Sequence, residues 1–125
     1  MPSPLLSEHF TVREFESHDG AGLPWRMRRQ YRGLCRDFLE PLRSTYGPVV
    51  VISGFRSDRH NESVGGAAQS FHRSIPFRRG VAADVVCRDG TPHDWRRLLE
   101  RLGPGGLGVY EGHVHVDTRR GTARW

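Results

Sequence analysis

The sequence predicts an α+β fold in which a small, mostly antiparallel sheet is flanked by helices. Two observations carry this prediction. The first half of the chain contains a long stretch with one apolar helical face, whereas the second half contains short β-branched or Gly-rich stretches separated by turns. The clearest strand is at residues 112–118, where polar and apolar residues alternate with a period of two. A chain of 125 residues is expected to form a single domain over residues 1–125.

The N-terminal half is expected to be mainly helical. Residues 1–10 read as an irregular arm, and a capping box at the start of residues 11–17 predicts a short helix. Pro24 begins the strongest predicted helix, and Pro41 is expected to kink or divide it near Glu40. The apolar face of this helix has three- and four-residue spacing and consists of Tyr31, Leu34, Cys35, Phe38, Leu39, Leu42 and Tyr46.

The C-terminal half is expected to supply the sheet. The β-branched residues 49–52 predict a buried strand, and residues 80–86 predict a second strand with Asp84 on the face opposite Val81, Ala83 and Val85. A short helix over residues 58–64 and a helix beginning at residues 91–92 separate the strands. Residues 106–110 and the alternating stretch after them are expected to pair as an antiparallel hairpin.

Composition and charge exclude several classes of protein. No apolar run approaches the ~20 residues of a membrane span, and the N-terminus lacks the basic and apolar regions of a secretory signal, which predicts cytoplasmic synthesis. The net charge is +5, and all 19 basic residues are Arg. Such a chain favours polyanions, but the arginines are spread along it, so binding to nucleic acid is not expected. Two Cys residues make no disulfide framework, and the chain is expected to be a monomer.

The alternating strand and two other segments offer ligands for a metal. In an extended strand His113, His115 and Asp117 lie on one face, although a solvated edge strand would show the same pattern. A catalytic zinc takes three ligands from His, Asp, Glu or Cys and leaves a fourth position for water. The chain offers His72, Asp84 and one or both of these histidines. Each residue also has an ordinary interpretation, as a loop His or as an Asp paired with Arg.

Eight short motifs follow one another along the chain: S-G-F-R-S at 53–57, H-N at 60–61, V-G-G-A at 64–67, S-F-H at 70–72, G-V-A-A-D-V at 80–85, G-G-L-G-V-Y at 105–110, H-V-H-V-D-T-R at 113–119 and R-W at 124–125. In this order they resemble the zinc D-alanyl-D-alanine carboxypeptidase and murein endopeptidase family, which has a hedgehog-like α+β fold. The opening S-E-H-F-T-V-R-E-F-E at 7–16 resembles the N-terminal part of that family. The resemblance covers nearly the whole chain.

The resemblance implies a role for several residues. His72, Asp84 and His115 would be the zinc ligands. Arg56 would meet a substrate carboxylate or carbonyl, for which its planar guanidinium is suited. Asn61 and Ser70 match positions near the site, where they either contact substrate or make hydrogen bonds within the loop.

Two departures from the family pattern bear on the chemistry. The segment between His72 and Gly80 is longer than usual, and its extra residues 74–79 are expected to bulge beside the cleft. Many relatives have an acidic general base three residues before the last ligand, where this chain has Gly112. The nearby acids Glu111 and Asp117 are the two candidates for this base, and Glu111 is preferred because it lies on a turn. Asp117 would orient His115, and His113 would stabilise the developing oxyanion.

The sequence therefore favours a zinc peptidase that acts on peptidoglycan stem peptides, as a carboxypeptidase or as an endopeptidase that cuts cross-links. A phage lysin released to act on the cell wall would suit the missing signal, as would a bacterial enzyme that remodels the wall. The alternative is an inactive structural or wall-binding module of the same fold, which the missing acid at Gly112 favours. A nucleic-acid binder or nuclease is the third hypothesis. The basic charge and the H-x-H strand suggest it, and the scattered arginines count against it.

Overall fold

The computed structural model describes residues 2–125, and it confirms the α+β class. The helices are α1 (Trp25–Leu34), α2 (Glu40–Tyr46), α3 (Asp58–Ser63) and α4 (Pro92–Leu102). The strands are β1 (Leu5–Ser7), β2 (Phe10–Thr11), β3 (Val49–Ser53), β4 (Ala82–Cys87), β5 (Gly106–Val109), β6 (Val114–Asp117) and β7 (Ala123–Arg124). A 3₁₀ helix (Val12–Phe15) follows β2, and a π-helical stretch (Cys35–Leu39) joins α1 to α2.

The main sheet has the strand order β3-β4-β6-β5-β7, and only the β5–β7 pair is parallel. Asp84 on β4 lies opposite His115 on β6, which in turn lies opposite Gly108 on β5. Because side chains alternate along each strand, the neighbours Val85 and Val116 point to the other face, where they join the hydrophobic core. The sheet therefore separates a packed apolar face from a face that carries the polar groups.

The helical half confirms the predicted division at Pro41. Pro41 has no N–H group and cannot follow a regular α-helical turn without a clash with the carbonyl of residue 37. The π-helical stretch ends directly before Glu40, whose N–H donates to the carbonyl of Cys35, five residues earlier. Tyr31 of α1 is fully buried and its hydroxyl donates to the carbonyl of Ala82 at 2.7 Å. This bond ties the helix to the central strand β4.

Two expectations about the elements are corrected, and one strand is added that the sequence did not predict. The N-terminal arm is not irregular, because β1 and β2 pair as a small antiparallel sheet. Strand β3 is an edge strand and not a buried one, since Val50 and Ile52 are 60% and 38% exposed on the face opposite the core. The C-terminal residues contribute β7, a two-residue strand that is too short to show a sequence period.

The inserted residues 74–79 form a loop without helix or strand, as predicted. The loop packs against the start of α1, where Arg26 donates to the Ser74 hydroxyl at 3.3 Å. The loop therefore lies on the α1 side of His72. The expected position beside the cleft is corrected, because residues 74–79 do not line the cavity that opens next to His72. Within residues 2–125, none of the helices has the length and apolar character needed to cross a bilayer.

Candidate metal centre

Three buried side chains from distant parts of the sequence meet on the polar face of the sheet. One potential ligand atom from each of His72, Asp84 and His115 lies within 4.8 Å of the others. The antiparallel register places Asp84 beside His115. His72 comes from the loop after α3, and its carbonyl accepts a hydrogen bond from the N–H of Arg56 at 2.8 Å. The structure thus brings together the three residues that the resemblance implies as ligands.

Hydrogen bonds fix which nitrogen of each imidazole faces the cluster. His72 Nδ1 lies 2.6 Å from the carbonyl oxygen of Gly54, which can only accept, so Nδ1 carries the proton and Nε2 is free. Nε2 lies 3.3 Å from Asp84 Oδ1. His115 faces the same oxygen with Nδ1, at 3.0 Å, while its Nε2 lies 2.7 Å from Asp117 Oδ2. Each imidazole is held through its second nitrogen, and the two nitrogens that face Asp84 form, together with its carboxylate, a donor set that fits zinc.

Asp117 is fully buried and is the best-bonded carboxylate near the cluster. Besides His115, it accepts hydrogen bonds from the N–H of Gly106 at 2.8 Å and from Arg119, whose Nη2 lies at 2.6 Å. A Cβ at position 106 would overlap this carboxylate, so the glycine is required for the close approach. Burial alone would raise the pKa of Asp117, but the hydrogen bonds from His115 and Arg119 hold it well below its ordinary value.

The same competition sets the charge of the cluster itself. Burial would raise the pKa of Asp84, yet the two imidazoles beside it, His115 and His72, hold that pKa well below the ordinary range. Burial would lower the pKa of His115, but its hydrogen bonds to Asp117 and Asp84 raise it. Asp84 is therefore ionised, and its carboxylate oxygen lies between the two imidazoles as a potential donor to a cation.

A cleft of about 690 Å³ opens onto the cluster. Its walls are a Gly-rich loop on one side and the β5–β6 hairpin with the C-terminal residue on the other. Of the residues singled out from the sequence, six line this cleft: Arg56, Ser70, His72, Asp84, His113 and His115. Among the lining residues, Asp84 is the only one with a carboxylate side chain.

Arg56 lies at the edge of the cluster. Its Nε donates to the Ser53 hydroxyl at 3.1 Å, and its Nη2 lies 3.4 Å from Asp84 Oδ2. The side chain is 18% exposed, so part of the guanidinium faces the cleft. This position suits a group that meets a substrate oxygen next to the metal ligands.

Asn61 and Ser70 make hydrogen bonds within the loop that forms the cleft wall. Asn61 is buried and donates through Nδ2 to the carbonyl of Ala67 at 3.0 Å, while Gly66 packs against its side-chain oxygen. Ser70 Oγ accepts from the N–H of His72 at 3.2 Å. Both contacts fix the loop, and Ser70 also lines the cleft.

The hairpin turn separates His113 from Glu111. The N–H of Tyr110 donates to the carbonyl of His113 at 2.9 Å, which closes a tight turn with Glu111 and Gly112 at its exposed tip. His113 lines the cleft with its ring stacked on Tyr110, at 4.4 Å between centroids and 7° between planes. Glu111 is not among the residues that line the cleft.

Three further residues at the site were not predicted from the sequence. Arg119 holds Asp117, and Trp125 packs its ring 4.9 Å from His115 and donates to the Tyr110 hydroxyl at 2.7 Å. The period of two that places His115 and Asp117 on one face continues to Arg119, so extending it by one step would have found this residue. No sequence period points to Trp125 and Tyr110, because their contact joins the hairpin to the end of β7 and forms only when these distant segments pack together.

Comparison with known families agrees with this geometry. The family model described as peptidase M15 matches residues 8–117, a span that includes all three clustered side chains. Comparisons with curated proteins and with solved structures found no match. Members of this family resemble zinc D-Ala-D-Ala carboxypeptidases, which confirms the resemblance drawn from the motifs and implies hydrolase activity. Because the match covers most of the chain, the protein belongs to the peptidase M15 family.

Proposed function

We propose that the protein is a zinc peptidase that hydrolyses peptide bonds in peptidoglycan stem peptides. The observation that carries the proposal is the buried His72–Asp84–His115 cluster at the floor of an open cleft, in a chain of a peptidase family. His72 Nε2, the Asp84 carboxylate and His115 Nδ1 would hold the metal. When bound, zinc supplies Lewis-acid chemistry that polarises the scissile carbonyl and lowers the pKa of water.

The chain's own residues hold the substrate and the ligands. Arg56 donates to a carboxylate or carbonyl oxygen of the stem peptide, from a position within 3.4 Å of Asp84. Asp117 keeps the proton of His115 on Nε2 and so keeps Nδ1 available as a ligand. Trp125 and Tyr110 form one wall of the cleft, where their aromatic rings exclude water from one side of the reacting peptide.

A proton acceptor for the attacking water is the remaining requirement. His113 is the group we propose, because it lines the cleft two residues from His115 and because the unprotonated nitrogen of an imidazole can accept a proton. Glu111 remains the alternative from the sequence, and it would need a change in the hairpin turn to reach the cleft. Under this proposal His113→Asn loses most turnover while zinc binding is kept, and Glu111→Gln stays active. The opposite pattern would assign the role to Glu111.

The proposal is tested by digestion of purified muropeptides followed by mass spectrometry of the products. Wild-type protein loaded with zinc is expected to release D-alanine or to cut cross-linked stem peptides. His72→Ala is expected to lose both zinc and activity. The matched control is His93→Ala, since His93 is exposed on α4 and away from the cleft. A wild-type protein that binds zinc and muropeptides without cleaving them would favour the alternative, an inactive wall-binding module.

That alternative has one supporting observation. The lining of the cleft contains a single carboxylate, that of Asp84, and this group is already engaged by two imidazoles and Arg56. Hydrolytic zinc sites usually place a second carboxylate beside the attacking water. Turnover on muropeptides separates the two functions, because both predict the same metal content.

A further inference from the structure

A second feature lies on the α1 side of the molecule, between the start of α1 and the inserted loop. A groove of about 440 Å³ is lined by Arg26, Arg29, Gln30 and Arg79. The helix and the loop are tied together there, since Gln30 Oε1 accepts from the N–H of Gly80 at 2.6 Å. A smaller cavity next to it shares Arg26 and Gln30 and reaches Phe77 at the end of the loop. None of these residues lines the peptidase cleft.

The charge of this groove is not compensated. Within residues 2–125, no carboxylate lies within 4 Å of Arg26, Arg29 or Arg79, whereas eight arginines elsewhere make such ion pairs. The sequence explains this difference. No Asp or Glu occurs between Asp19 and Asp37 or between Glu62 and Asp84, which are the two segments that build the groove. Several like charges without counterions attract a multiply charged anion or an anionic surface.

Two exposed aromatic side chains lie on the two segments that build the groove, Trp25 at the start of α1 and Phe77 in the inserted loop. Trp25 is 76% exposed, with the guanidinium of Arg28 stacked 4.7 Å from its ring. Phe77 is fully exposed and has a φ of 62°, a conformation that residues with a Cβ rarely adopt. The loop holds it there, because the guanidinium of Arg78 donates to the carbonyls of Gln69 and Ser70 at 2.6 and 2.7 Å. The ring of Phe77 is thus presented to the surroundings by a braced loop.

We propose that this arginine face, defined as Trp25, Arg26, Arg29, Phe77 and Arg79, binds the surface of an anionic phospholipid bilayer. The arginines would contact lipid phosphates, and the two aromatic rings would enter the boundary between head groups and acyl chains, which aromatic side chains favour. The side chain of Phe77 favours a bilayer over a hydrophilic phosphate polymer as the partner of this face. This side chain has no polar atom, so burial in an apolar layer stabilises it and contact with a hydrated polymer does not.

The experiment is sedimentation of the full chain with vesicles. Vesicles that contain phosphatidylglycerol are compared with vesicles of phosphatidylcholine alone, at low and at high salt. The wild-type protein is expected to bind only the anionic vesicles, and high salt is expected to release it. The double variant Arg29→Gln/Arg79→Gln should bind about 25-fold more weakly, because each arginine near an anionic surface contributes about fivefold. Neither side chain makes a hydrogen bond or ion pair within residues 2–125, so the fold should be kept.

Matched controls separate a defined face from net charge alone. Arg59→Gln/Arg101→Gln removes the same charge from exposed positions on α3 and α4, and it should change binding by about twofold or less. Phe77→Asn should weaken binding on the order of tenfold, and Asn tolerates the positive φ. Leu5→Asn, at a position 60% exposed on β1, should have no effect.

Several outcomes would overturn the proposal. They are the absence of binding to anionic vesicles, an equal loss in the two arginine double variants, or full binding by Phe77→Asn. Binding to inorganic polyphosphate or single-stranded DNA that matches the binding to vesicles, and that Phe77→Asn leaves intact, would assign the face to a phosphate polymer instead. None of these measurements depends on peptidase activity.

Discussion

Asp117 shows how one buried carboxylate orients a neighbouring imidazole. It accepts hydrogen bonds from His115, Gly106 and Arg119 and is closed off from solvent. Because His115 donates its Nε2 proton here, its other nitrogen faces Asp84. The position of one potential ligand atom therefore depends on a residue that does not itself line the cleft.

We predict that Asp117→Asn lowers zinc affinity by about 10–100-fold, as loss of such a hydrogen-bond partner typically does. The amide keeps the shape but removes the charge that Arg119 and His115 share. Competition with a chromophoric chelator measures the affinity. Asp58→Asn is the control, since that carboxylate is exposed and pairs only with Arg73. Equal zinc affinities for the Asp117 variant and wild type would contradict this role.

A second residue-scale prediction concerns Arg56. Arg56→Lys should lower peptidase turnover and leave zinc content unchanged, since Lys keeps the charge but loses the planar pair of donors. Steady-state kinetics on a muropeptide, together with metal analysis of the same sample, measures both quantities. Arg59→Lys on α3 is the control, because Arg59 is exposed and does not line the cleft. Unchanged turnover in Arg56→Lys would remove this residue from the substrate site.

At the scale of elements, close packing between β5 and the C-terminal residue forms one wall of the cleft. Gly108 lies opposite His115 in the register, and a Cβ at this position would overlap the ring of Trp125. Trp125 in turn contacts His115 and donates to Tyr110. The glycine on β5 thus permits the aromatic side chain to lie over the sheet.

Gly108→Ala is therefore expected to displace Trp125 and to destabilise the fold by about 1–3 kcal/mol, as overpacking typically does. Denaturation in urea measures the free energy of unfolding. Gly112→Ala is the matched control, because a Cβ there would meet no atom within 4 Å. If both variants unfold at the same urea concentration as wild type, then the contact between Trp125 and β5 is not required.

Elements with a clear period were predictable, and those without one were not. The alternation around His115 and the apolar face of α1 each reflect a repeated contact with the core, so the sequence contains a strong signal. Strands β2 and β7 have two residues each and show no period. The exposure of Val50 follows from the place of β3 at the sheet edge, and this place depends on pairing between distant segments.

The candidate site was predictable to a similar extent. The ordered motifs identify His72 and Asp84 as site residues. No local spacing connects these two residues, and the family pattern identifies them because it reflects contacts that form only in the folded chain. The hydrogen bond from His72 to the carbonyl of Gly54 was not predictable, since it depends on how the two loops meet. The exposed position of Glu111 follows from the turn closed by Tyr110 and His113.

At the scale of the whole molecule, the two faces of the main sheet have different roles, and a third surface lies outside the sheet. The packed face of the sheet joins the helices in a hydrophobic core, and its open face carries the His72–Asp84–His115 cluster. The arginine face is formed by α1 and the inserted loop, and its residues do not line the cleft that opens onto the cluster. The proposed function depends on the open face of the sheet and not on the arginine face, so changes at the arginine face should leave hydrolysis of soluble muropeptides unaltered.

The most direct test of the proposed zinc peptidase function is zinc-dependent hydrolysis of a purified muropeptide. The protein is stripped of metal with a chelator and then titrated with zinc, and the cleaved peptide is measured at each step. We predict no turnover in the stripped protein and full turnover at one zinc per chain, bound by His72, Asp84 and His115. Turnover that survives removal of the metal, or no turnover at any zinc loading, would contradict this prediction.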